Sequence, residues 1–185
     1  MSRAYNKVTQ MWTSTDTDPT IVNDPNWIID PVFDNEEWAN QIGPAYWTFS
    51  GNSVITPTVD AYNATMLPII QNNGWELIKA ERDRRKTDGG YKVGTNWYHS
   101  DTFSRTQQIG LVMLGANLPN NVMWKTMSGS FVLMTPTLAL QIFQSAMVSD
   151  MTIFATAEQK KAAMLASPDP STYDYLSGWP KCYGE

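Results

Sequence analysis

Histidine and cysteine are almost absent: of 185 residues, one is histidine, His99, and one is cysteine, Cys182. A lone cysteine excludes an internal disulfide and any zinc site built on several cysteines. A lone histidine is too few for the three or four His, Cys or acidic ligands that zinc normally takes. Excess positive charge is missing too. The formal net charge is −5, whereas nucleic-acid binders draw most of their affinity from neutralising phosphates, so no nucleic-acid partner is expected. The N-terminal "MSRAYNKVTQMW" lacks the apolar core of a signal peptide. The longest continuous apolar stretch, "IGLVMLGA" at 109–116, falls well short of a membrane span. These absences predict a soluble chain with no membrane partner, not secreted through a signal of its own.

What charge there is clusters. Residues 1–75 hold eight acids and two bases, and residues 76–92 hold six bases and four acids. The basic cluster lies in "ERDRRKTDGGYKVGTNWYHSD" at 81–101, beside a double glycine and the single histidine. A Walker-type phosphate loop needs its glycines between a strand and a helix, with backbone N–H groups facing the phosphate. Here Gly89 and Gly90 follow a helical pattern and precede a strand-like one, which is the wrong polarity. Glu81, Asp83 and Asp88 interleave with the bases, so the stretch reads as a salt-laced, solvated helix end followed by a hairpin. A Ser–His–acid triad needs only one histidine, which leaves a small hydrolase working through His99 open. No Gly-x-Ser-x-Gly elbow is present, however. "DTD" at 16–18 lacks the remaining ligands and the glycine of a calcium loop. The expectation is no catalytic residue, no cofactor and no metal site.

Prolines divide the chain. Five of the eleven fall in residues 1–57 and three in 168–180, which marks the ends as extended and the middle as the folded body. Residues 1–45 show neither period 2 nor period 3.6 for long and read as an arm. Residues 46–88 read as a short hairpin, "YWTFSGNSVITP", and a helix broken near Pro68 or Asn72–Gly74, closed by Gly89. Residues 89–166 carry hairpin–helix twice. The first helix is capped by Ser100 or Asp101 and buries Phe103, Ile109, Val112 and Met113. The second is capped by Thr135, has Pro136 in its first turn, and buries Leu140, Phe143, Met147 and Met151. Residues 167–185 form a Pro-rich tail. The fold class is α+β: an extended N-terminal arm, a short β-hairpin and helix, then a small domain of two hairpin–helix units.

Aromatic residues are abundant, with eight Trp, eight Tyr and six Phe. Trp75, Trp97 and Trp124 are assigned to the core. Trp12, Trp27, Ile28, Ile29, Phe33 and Trp38 are too many large apolar groups for a solvated tail. The arm therefore folds back on its own core or lies on a neighbouring subunit, and these six residues are the candidate partner interface.

Residues 75–150 carry an ordered pattern. It runs "W-x-x-I-K-x-x-R-x-x-R", then a glycine-containing hairpin ending in "W-Y-x-x-D-x-x-S-x-x-x-x-I", then "M-W" in a second hairpin, then "L-M-T-P-x-L". This resembles an uncharacterised C-terminal domain of tail, tail-fibre and tail-fibre-assembly proteins of tailed bacteriophages. "YWTFSGNSV" and the helix after it are similar to the segment that often precedes that domain. The second hairpin turns through Ser128-Gly129 where Asn-Gly or Asp-Gly is usual, and the arm lies outside the pattern. The resemblance implies a non-enzymatic virion protein, made in the host cytoplasm and carried in the tail in several copies. Its partners would be other tail, tail-fibre or adaptor proteins. An assembly chaperone that leaves the mature virion is the alternative.

Overall fold

The computed structural model describes residues 2–185, and the chain divides into two compact units, Met1–Met66 and Leu67–Glu185. The α+β class holds, with four α-helices and several small sheets.

The first unit is folded where an extended arm was expected. Strand β1 (Arg3–Asn6) pairs antiparallel with β2 (Trp12–Ser14) and β3 (Trp27–Ile29). Strand β4 (Val32–Phe33) runs parallel to β6 (Ser53–Ile55), which also pairs antiparallel with β5 (Thr48–Ser50). Helix α1 (Glu36–Ile42) is capped by Asn35, whose side chain accepts from the Trp38 N–H. Strands this short lack a long alternating pattern, so periodicity hides them. Burial holds them instead: Tyr5, Ala39, Ile42, Trp47 and Val54 form the core, with Phe33, Trp38, Tyr46, Phe49 and Tyr62 packed around it.

The second unit is built on long helices. Helix α2 (Val59–Asp88) starts in the first unit and is unbroken, contrary to the break expected near Pro68 or Gly74. A proline inside a helix removes one hydrogen bond and crowds the carbonyl four residues earlier. Here Pro68 lies just past the boundary between the units, in a part of the helix with no buried residue before Ile78. Hairpin β7–β8 (Tyr91–Val93, Asn96–Tyr98) leads to α3 (Thr102–Leu114), and hairpin β9–β10 (Met123–Lys125, Phe131–Leu133) leads to α4 (Pro136–Leu165). Of the two candidate caps for α3, Asp101 and not Ser100 takes the position, and Thr135 caps α4 as the sequence predicts. The segment 167–185, expected as a tail, packs back: Trp179 and Cys182 are buried.

Two apolar clusters hold this unit. One gathers Tyr91, Tyr98, Leu118, Met134, Ala139 and Ile142, and the other Ile78, Ile153, Ala157, Met164 and Trp179. The expected burial pattern is corrected at several points. Trp75, Trp97 and Trp124 are only half-buried. On α3, Phe103, Ile109 and Met113 are exposed, and Gln108 is buried instead. On α4, Leu140, Met147 and Met151 face outward, while Ala139, Ile142, Ile153, Ala157 and Met164 face inward. The inward face is the one that meets the Tyr91–Met134 and Ile78–Trp179 clusters, which leaves the other bulky side chains of α4 outside.

Candidate interaction surfaces

The six arm residues do not form one exposed patch. Ile28 is only 2% exposed and belongs to the interior, so it is removed from the candidate interface. Trp38 is half-buried; its Nε1 donates to the Pro57 carbonyl at 2.8 Å and its ring meets Tyr62 edge-on. Phe33 packs edge-on against Trp47 at 5.2 Å, and Ile29 is half-buried on β3. Trp12 keeps the most surface, 43%, with its faces against Tyr5 and Phe33 and the Arg3 guanidinium over its ring. Trp12 and Trp27 line a shallow concavity of about 620 Å³ with Asn6, Thr9, Met11, Thr13, Thr17 and Asp18. The arm's aromatics thus mostly build their own unit.

The basic stretch 81–101 is a structural junction. Arg85, expected on a solvated face, is 7% exposed. It donates to Glu81 at 2.6 Å, to the Pro180 carbonyl at 2.8 Å and to Glu185 at 3.0 Å, and so ties the C-terminal segment to α2. Burial works against the Arg85 charge, but hydrogen bonds to Glu185 and Glu81 outweigh it and hold the guanidinium above its ordinary pKa. Hydrogen bonds from Arg84, opposed by burial and joined by Arg85, hold the Glu81 carboxyl below its ordinary value. A second clamp is Arg105. It donates to the Ser100 carbonyl at 2.6 Å, the Lys86 carbonyl at 2.7 Å and Asp150 of α4 at 2.7 Å.

The two glycines serve this junction. Gly90 is the left-handed residue, φ 76°, one position later than expected. A Cβ on Gly89 would lie 2.7 Å from Cys182 Sγ and press on the Arg85 carbonyl. These glycines close a helix and admit the C-terminal segment.

His99 is half-buried, and its backbone carbonyl accepts from Gln108 Nε2. Ser104 Oγ, the nearby hydroxyl, donates to Asp101 at 2.6 Å as part of the α3 cap. No hydrogen bond joins the His99 ring to a serine or an acid among the described residues, so the geometry lends the hydrolase reading nothing. Among the described residues there is also no group of three or more His, Cys, Asp or Glu placed to hold a metal ion.

The surface that periodicity alone misplaced is on α4. Leu140, Gln144, Met147, Met151, Phe154 and Glu158 are spaced four, three, four, three and four residues apart and all are exposed. Leu140, Met147 and Met151 keep 46%, 51% and 68% of their surface. Such spacing is the apolar seam of helices that pack side by side. The periodicity is visible in the sequence, but it does not say whether the stripe faces the core or the outside. Helix α4 is also long and apolar enough to cross a membrane by length and composition, with mean hydropathy 1.3 in its best window. Its inner face, however, is committed to the β7–β8 and α2 clusters, and Asp150 at its middle is paired with Arg105. Between α3 and α4, beside Met147, lies a pocket of about 130 Å³ walled by Ile109, Phe143 and Ala146. Tyr91 also borders this pocket, and its hydroxyl is buried with no hydrogen-bond partner among the described residues.

No curated protein and no solved structure matches this chain. A family model described as "Domain of unknown function (DUF4376)" matches residues 70–177, all within the second unit and more than half of the chain. The protein with the α4 seam and the arginine clamps therefore belongs to the DUF4376 family.

Proposed function

We propose that this protein is a non-enzymatic structural component of a bacteriophage tail, a small adaptor or fibre-associated part that binds neighbouring tail proteins. The observation that carries the reading is the ordered pattern of residues 75–150, similar to a domain of phage tail and tail-fibre proteins. The large apolar side chains left exposed along α3 and α4 agree with a part that works inside an assembly, since contiguous exposed apolar surface marks interaction sites. Arg85 and Arg105, the most chemically suggestive groups, spend their donors inside the chain.

Mass spectrometry of purified virions tests the proposal. The expected result is a stoichiometric protein alongside other tail components; absence from virions of a phage that expresses it overturns the structural reading. The second reading, a tail-fibre assembly chaperone, is favoured by the methionines on the same surface. Flexible thioether side chains suit adaptable, transient contacts. Absence from virions together with co-purification on nascent fibre would establish it.

A further inference from the structure

The exposed stripe on α4 carries little charge. From Pro136 to Ala157 the helix carries one charged residue, Asp150, and Arg105 occupies it at 2.7 Å. The stripe is therefore neutral from Leu140 through Gln144 and Met147 to Met151, and charge begins only at Phe154, whose ring lies under Arg82 and Lys86 of α2. Over Leu140–Met151 two identical neutral stretches meet without like-charge repulsion, and a charged partner would find no complement there.

We infer that α4 packs against α4 of a second copy of this chain through Leu140, Met147, Met151 and Phe154, with Gln144 a polar position within the seam. Three observations converge on this occupant. The alternating four and three spacing is the one that lets two helices interlock side chains along their length. The area is sufficient: six exposed side chains on α4, the four seam residues with Val148 and Leu165, keep about half of their surface. At roughly 100 Å² each, two copies would bury about 1,200 Å², the lower bound of a standard stable interface. Finally, the pocket of about 130 Å³ beside Met147 gives a side chain from the facing helix a hole to enter. A membrane is the competing occupant for a helix this apolar. It would have to cover a helix whose inner face is already packed on hairpins with polar turns. This inference stands independently of whether the protein enters a virion.

The test uses the full chain with variants that push in opposite directions. Sedimentation equilibrium of the parent from about 1 to 100 μM should show a dimer or higher oligomer, with a melting temperature that rises with concentration. The double variant M147E/M151E places charges at positions already open to water in the monomer. It should weaken association at least 100-fold while keeping the parent's circular dichroism. Gln144→Leu should tighten association at least tenfold, since each of the two copies gains a buried aliphatic side chain, and a merely misfolded protein cannot give that result. A monomeric parent at 100 μM, unchanged association in M147E/M151E, or no tightening in Gln144→Leu overturns the inference. So does a monomer that floats with phosphatidylcholine or phosphatidylglycerol vesicles, which would assign the stripe to a lipid surface instead.

Discussion

The two units reach stability by opposite routes. The first, Met1–Met66, has strands of two to four residues and a seven-residue helix, and large aromatic rings fill its interior. The second, Leu67–Glu185, packs long helices on one another and on two hairpins, and uses Arg85 to hold its C-terminal segment and Arg105 to join α2, α3 and α4. The lesson is that aromatic abundance and helical periodicity answer different questions. In the first unit the aromatics show that a core exists where periodicity shows nothing. In the second, periodicity shows that helices exist but not which face is buried.

The sharpest way to break this contrast is Trp47→Ala. Trp47 contacts Tyr5 and Phe33 and donates from Nε1 to the Ala39 carbonyl. Its loss should cost about 3–5 kcal/mol, much of the stability a unit of this size can have. Urea unfolding should then show the first unit melting early with the second unchanged. A single, uniformly shifted transition would show that the two units are not independent.

Next is Arg85→Ala, which removes one partner from a buried ion pair. The expected cost is about 3 kcal/mol, at the low end for such a break because Arg84 still holds Glu81. Limited proteolysis should then cut first within 167–185. Cleavage elsewhere would mean that Trp179 and Cys182 hold the segment without the clamp.

Pro68→Ala should act in the opposite direction. It restores a hydrogen bond and removes a clash in an exposed stretch of helix, for a gain of about 2 kcal/mol after allowing for a freer unfolded chain. A loss of stability instead would show that the helix depends on a bend there.

Acid offers a milder way to open the clamp. Hydrogen bonds from Arg84 at Glu81 and from Arg85 at Glu185 lead in holding both carboxyls below the ordinary glutamate value of 4.5. A carboxyl with a lowered folded-state pKa contributes stability fully above its ordinary value and loses it as pH falls through the lowered one. Loosening of 167–185 should therefore begin below about pH 4.5, and hydrogen exchange at Tyr183, whose N–H donates to the Gly89 carbonyl, reports it. The Arg85→Ala variant should lose most of that dependence. The smallest effect belongs to His99→Gln, expected within about 0.5 kcal/mol because no hydrogen bond of the ring would be lost. A larger change in association or infectivity at unchanged stability would reopen His99 as a functional residue.

Local chemistry was legible before any coordinates. Asp101 and Thr135 could be named as caps because their side-chain oxygens reach helix N–H groups two or three residues on, whatever the rest of the chain does. The hairpins around Gly94 and Ser128-Gly129 and the Glu81–Arg85 pair are local in the same sense. Pairings across long separations were not legible. β1 meets β3 more than twenty residues away, and Arg85 meets Glu185 at the far end of the chain. Neither leaves a periodic trace.

The division between sequence and tertiary structure is clearest on α4. The sequence by itself determined that residues 136–165 form a helix, where it starts, and that it is apolar on more than one side. Only tertiary packing decided that Ala139, Ile142, Ile153 and Ala157 turn inward while Leu140, Met147 and Met151 turn out. A helix apolar on several faces gives its neighbours several stripes to choose from, and the choice depends on what distant parts of the chain place against it, here Tyr91, Tyr98 and Met134 at one end and Ile78 and Trp179 at the other.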